Sequence, residues 1–236
     1  MGLRFETRRS DSGWISTVWT CTSEQVTAMT SVAGAHWGLV FWEQAGRTYA
    51  GITGPETRTG TAPVPEGATF TGIDFAVGTS LRAVSTPALV DGGIQLPDTT
   101  RRTFRLDGAR WEMPGCDDAE ALVERLVRAG IVVRDPLVAE VLRGGHPTVA
   151  ERTVERRFRA ATGLTRGAVR QIERARTAAE LLAAGATAGD VVVKLGYFDE
   201  PHLARVLRTY VGRTVGQLRA GVGGAIALDV DQRRTS

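Results

Sequence analysis

A chain of 236 residues with 42% hydrophobic and 23% charged side chains can fold as one large or two modest globular domains, which excludes a disordered or fibrous protein. The formal charge is only +3, but it is zero over residues 1–110, −3 over 111–150 and +6 over 151–236, so a polyanion is expected to meet the last third. No apolar run is long enough to span a bilayer, none follows Arg4, Arg8 and Arg9, so a signal peptide is not expected, and two cysteines, Cys21 and Cys116, are too few for a disulfide framework or a zinc cluster.

Residues 1 to 112 read as β-rich. Short runs of Trp, Val, Ile, Phe and Thr, namely Trp14–Thr20, His36–Glu43, Arg47–Ile52, Thr69–Ala76 and Arg101–Leu106, alternate with glycine and proline turns. Gly54-Pro55-Glu56-Thr57 and Pro63-Val64-Pro65-Glu66-Gly67 are such turns. Strands at this spacing predict an antiparallel barrel or sandwich. All five tryptophans lie here; Trp37 and Trp42 are candidate walls of an effector pocket, against the plainer alternative that they fill the core. His36 is the only histidine of this part, too few for the several-histidine metal site of a catalytic barrel, and it is expected to be structural.

After Pro114-Gly115 the period becomes helical. Asp117 is expected to cap a helix carrying Leu122 and Leu126 that ends near Gly130, and a second helix runs from Asp135 to Gly144-Gly145. Thr148 and Glu151 have capping-box spacing and are expected to open the next helix. In it Val154, Phe158 and Ala161 share one face, while Arg152, Glu155, Arg156 and Arg159 share the other. Thr165 begins a long helix with a buried stripe of Val169, Ile172, Ala175, Ala179 and Leu182, ended by Gly185. Thr187 with Asp190 opens a short helix through Val191–Leu195, and Gly196 supplies a turn of positive φ. Asp199 then caps a helix with Leu203, Val206, Leu207 and Tyr210 inward. Glu200, Pro201, His202, Ala204, Arg205 and Arg208 are left for an outward reading edge. Thr214 with Gln217 caps a last short helix, and residues 221–236 are expected to be a loose tail.

Two amphipathic helices with cationic outer edges suit a DNA major groove; two ordinary surface helices of an all-helical domain are the plain alternative. The series Arg152-Thr153-Val154-Glu155-Arg156-Arg157-Phe158, Thr162-Gly163-Leu164, Arg174-Ala175-Arg176, Leu195-Gly196-Tyr197-Phe198-Asp199 and Gly212-Arg213-Thr214 resembles the DNA-binding domain of the AraC/XylS transcription regulators. The β-rich part is similar to the cupin-like N-terminal domain of many such regulators. The resemblance implies an α+β, two-domain protein: a cupin-like sensory or assembly domain over 1–112 and a helical domain with two helix-turn-helix units over 113–220. It implies no enzymatic activity and no cofactor. Double-stranded DNA, RNA polymerase, a small-molecule effector and a second copy of the chain are the implied partners, in the cytoplasm at the nucleoid. A cupin-type enzyme fused to a DNA-binding tail, and a regulator whose N-terminal domain is purely structural, are the alternatives. The sequence departs from the family at the connector Gly144-Gly145-His146-Pro147, longer than the usual turn, and at Ala150, where serine is common.

Overall fold

The computed structural model describes residues 2–24, 28–64 and 66–221; the expected tail beyond residue 221, and Pro65 of the second turn, lie outside the described residues. Twelve strands and eight helices are described: β1 (Gly2–Arg9), β2 (Ile15–Glu24), β3 (Ala28–Ser31), β4 (Gly38–Gln44), β5 (Arg47–Thr53), β6 (Gly60–Pro63), β7 (Thr69–Phe75), β8 (Thr79–Leu81), α1 (Thr86–Leu89), β9 (Gly93–Gln95), β10 (Thr103–Leu106), β11 (Ala109–Glu112), α2 (Ala119–Arg128), β12 (Val132–Arg134), α3 (Pro136–Leu142), α4 (Glu151–Thr162), α5 (Arg166–Ala183), α6 (Ala188–Leu195), α7 (Glu200–Tyr210) and α8 (Val215–Arg219).

The N-terminal strands form one six-stranded antiparallel sheet in the order β1-β2-β7-β4-β5-β9, with two-stranded sheets β10-β11, β12-β8 and β3-β6 beside it. The large sheet has β1 and β9 at its edges and does not close on itself, so of the two expected forms the sandwich-like one is observed. Strand β1 was not expected: its charged, short-period sequence carries little apolar signal, yet it pairs with β2 along its whole length. Two hairpins turn in two residues, Ala45-Gly46 (φ 47 and 75) and Asp107-Gly108 (φ 51 and 74), and the double positive φ is what the right-handed twist of paired strands demands.

Period-two alternation gives the large sheet two unlike faces. Val18, Leu39, Phe41, Ala50, Ile52, Ile73 and Phe75 point into the main core, where Phe104, Leu106, Leu122, Val123 and Leu126 meet them. Helix α2, expected with the helical domain, therefore belongs to this core instead. Its start is one residue later than expected, with Asp118 rather than Asp117 at the N-cap. Arg8 ties it to β1 by a fork onto Glu120 at 2.6 and 2.8 Å, and that bond holds the Glu120 carboxyl down to about 2. Strand β12 likewise pairs with β8. The opposite sheet face carries Trp42 stacked on Tyr49 at 5.1 Å, with Phe70 beyond, and Trp19 lies over Gly72, where a Cβ would sit 2.0 Å from its ring.

Trp37 is not a pocket wall. It is 3% exposed, stacked on Phe75 at 3.9 Å, and its indole N–H donates to the Thr79 carbonyl at 3.0 Å. A ring packed on one face and hydrogen-bonded at its edge belongs to the core. Trp42 is half-buried on the far face of the sheet.

The helical part has two smaller cores. One joins α5, α6, α7 and α8 through Ala175, Ala179, Leu182, Val191, Tyr197, Leu203, Leu207 and Leu218, and it includes Val32 of the β part. The other joins α3, α4 and α5 through Val138, Phe158, Ala161, Val169 and Ile172, and it includes Ala33 and Ala35. All five residues of the expected α5 stripe are buried. No described helix is long and apolar enough to cross a membrane.

Candidate nucleic-acid interface

The first helix pair is α3 and α4. Asp135 caps α3 by accepting from the N–H groups of Leu137 (2.9 Å) and Val138 (3.3 Å). The same carboxylate receives both Nε and Nη2 of Arg157, each at 2.7 Å, so α4 is strapped to the start of its supporting helix. Burial pushes the Asp135 carboxyl up, but the Arg157 fork and the two backbone donors outweigh it and leave it below the usual range. On α4, Val154, Phe158 and Ala161 are buried while Arg152, Arg156 and Arg159 are exposed. None of these three arginines has an ion pair or side-chain hydrogen bond among the described residues.

Two expectations for α4 are corrected. Thr148 is not its cap: the helix begins at Glu151 behind Ala150, which has no side-chain oxygen to satisfy the first N–H groups. The chain through Gly144 (φ 82) and Pro147 stays outside the helix, which leaves Thr148 too far upstream. Glu155, expected on the reading edge, is half-buried and accepts from Arg166 Nε at 3.1 Å. Glu151 pairs with the same guanidinium. Arg166 thus draws both carboxylates back onto the start of α5.

The second pair is α6 and α7. Thr187 caps α6, its hydroxyl accepting from Asp190 N–H at 3.1 Å. Gly196 ends that helix at φ 68, a left-handed turn glycine adopts without strain. Asp199 caps α7 with a 2.6 Å bond from His202 N–H, and Pro201 occupies the first turn, where an N–H has no helical partner. Leu203 and Leu207 are fully buried, and Glu200, Pro201, Arg205 and Arg208 are exposed. His202 is turned toward the connector rather than outward. Its Nδ1 accepts from Phe198 N–H at 3.4 Å, and its ring meets Tyr197 edge-on at 5.5 Å. Tyr197 is itself buried under the Arg174 guanidinium, 4.1 Å from its ring centre, and burial pushes its phenol up.

Helix α5 joins the two pairs, and the β part braces both. Ala33 N–H donates to the Tyr210 carbonyl at 2.8 Å and Thr59 N–H to the Thr209 carbonyl at 2.9 Å, so two strand-side donors satisfy the C-terminal end of α7. Arg176, 8% exposed on α5, donates to the Ala33 carbonyl at 3.2 Å. At the first pair, Gly163 (φ 75) ends α4 so close to α1 that a Cβ would lie 2.6 Å from Val90. Gly78 is similarly pressed between Val138 and Leu142. Nearby, His36 Nε2 lies 3.4 Å from Asp74, and no three His, Cys, Asp or Glu side chains come together as a metal site among the described residues. Sequence reasoning missed the roles of Arg157, Arg166 and Arg176, because an arginine on a helix gives no sign of which partner its long stem will reach.

Residues 148–221 match the family described as "Helix-turn-helix domain", the AraC-type form, over the stretch from the connector before α4 to the end of α8. No curated protein and no solved structure matches the chain.

Proposed function

We propose that the chain is a DNA-binding transcription regulator of the AraC/XylS type, as its helix-turn-helix domain supports, and that α4 and α7 enter successive major grooves on one face of promoter DNA. Three exposed, unpaired arginines on α4 carry this reading: Arg152 and Arg156 face base edges, and Arg159 holds phosphate. Arginine's fork fits guanine O6 and N7, so hydrogen-bonded readout is concentrated in α4. On α7, Arg205 and Arg208 grip the backbone and Glu200 accepts from cytosine, while Pro201 and Ala204 offer no donors.

In this reading the sensory or assembly unit runs through β12 and the reading unit begins at Asp135. Bonds from Ala33, Thr59 and Arg176 support control through that contact. A small-molecule effector held on the aromatic sheet face at Trp42, or a second copy of the chain joined through the β unit, would alter how α7 is held and with it the recruitment of RNA polymerase. Hydroxyl-radical footprinting of the full chain on DNA selected from random duplex tests the reading. Two protected tracts about 34 Å apart on one face are expected. A single tract would overturn it. Affinity should fall steeply with salt as phosphate counterions are released.

A further inference from the structure

Phe198 is the most exposed of the large apolar side chains among the described residues, at 89%. Its backbone is nevertheless fixed on both sides. Tyr197 before it is buried between Arg174 and His202, and Asp199 after it is locked as the cap of α7. Its own N–H donates to His202 Nδ1 at 3.4 Å. A rigid turn therefore holds an apolar ring in water at the leading end of the second reading helix, whose own Pro201 and Ala204 also lack side-chain donors. The most prominent apolar feature that the major groove offers at base edges is the C5-methyl group of thymine, set among hydrogen-bond donors and acceptors.

We infer that Phe198 is a specificity-determining residue that reads a thymine methyl in the half-site of α7. The inference rests on the proposal that α7 enters the major groove. It divides the labour between the units by chemistry: α4 recognises bases by arginine hydrogen bonds, and α7 recognises them by apolar contact.

The test uses the full chain and a site selected from random duplex, resynthesised with uracil in place of each thymine in turn, a change that deletes only the methyl. At one or two thymines of the α7 half-site, uracil should weaken the unmodified protein about fourfold, the worth of one buried methyl. The Phe198→Ala protein should bind thymine and uracil versions alike at those positions. Since the ring is exposed, its melting temperature should match that of the unmodified chain. A Phe198→Ala protein that keeps the full thymine preference, or a selected half-site without a fixed thymine, would overturn the inference. So would DNA binding left intact while promoter activation is lost, which would assign the ring to a protein partner. Arg205→Ala separates the two levels: if it leaves affinity and footprint unchanged, α7 is not in the groove and the underlying proposal fails.

Discussion

The two helix-turn-helix units share a pattern and differ in how their second helices, α4 and α7, are held. Helix α7 starts from a tight glycine turn, carries an aspartate cap with a 2.6 Å bond, and is fastened at its far end by two N–H groups of the β part. Helix α4 follows a longer connector, has an alanine at its N-cap, and is held by side chains: Arg157 to Asp135 on one side, Arg166 to Glu151 and Glu155 on the other. One helix is positioned by a side-chain cap and backbone bonds, the other by ion pairs. Caps and backbone bonds are local and little affected by salt, whereas partly exposed ion pairs are weak and screened. The first unit should therefore be the more adjustable.

The sharpest way to break this comparison is to remove the core beneath each helix. Phe158 and Leu203 are both buried, at 2% and 0% exposure, and replacing either by alanine should cost about 2–5 kcal/mol. Because the Phe158 core includes Ala33 and Ala35, Phe158→Ala should lower the transition seen by tryptophan fluorescence, which reports only the β part, together with loss of helical circular dichroism. A fluorescence transition left in place would show that the units are not braced together. Next in size is Arg156→Ala, expected to relax base preference in the α4 half-site at about 1–3 kcal/mol, whereas Arg159→Ala should weaken all sequences alike and lower the salt slope by about one. Site selection with an unchanged base profile would reassign Arg156 to phosphate.

Much of this was legible in the sequence. The five apolar positions of α5, the left-handed Gly196 and the Asp199 cap follow from period and residue chemistry, and each is found in the structure. Strand β11 is also legible in principle, since Asp107-Gly108 is a strong two-residue hairpin signal. The assignment of α2 to the sheet core was not legible: its amphipathic stripe states that one face is buried, but not against what. Capping-box spacing at Thr148 misled for a related reason, since Thr-x-x-Glu fits a cap only where the intervening backbone is helical, and here it is not. Trp37 shows the same limit: composition cannot tell a pocket wall from a stacked core ring.

The difference in capping can be inverted by design. Asp199→Ala removes the α7 cap and should destabilise the protein by about 1 kcal/mol, while Ala150→Ser supplies the missing oxygen at α4 and should stabilise it by a similar amount. Chemical denaturation of both variants measures this, and a neutral Ala150→Ser would show that the connector holds residue 150 outside cap geometry.

The smallest expected effect isolates the ion-pair strap of the first unit. Asp135 lies below the ordinary carboxylate range in the folded chain, with burial opposed and outweighed by Arg157 and the cap donors. A lowered folded pKa means that the stabilisation is fully present above the unfolded value of about 3.9, and that it drains away as pH falls from there through the folded value. Arg157 has 41% of its side-chain surface exposed, so the pair contributes below about 1 kcal/mol. Comparing unmodified and Arg157→Ala proteins at each pH cancels the many other carboxylates. Some difference will persist at all pH values, because the arginine stem also packs on apolar surface. The informative quantity is the change in that difference. It should be constant from pH 7 to about 5 and shrink below about 4, as protonation of Asp135 removes the fork's partner. A difference that stays constant down to pH 3 would mean that the strap holds α4 by packing alone, and that the first unit is no more pH-sensitive than the second.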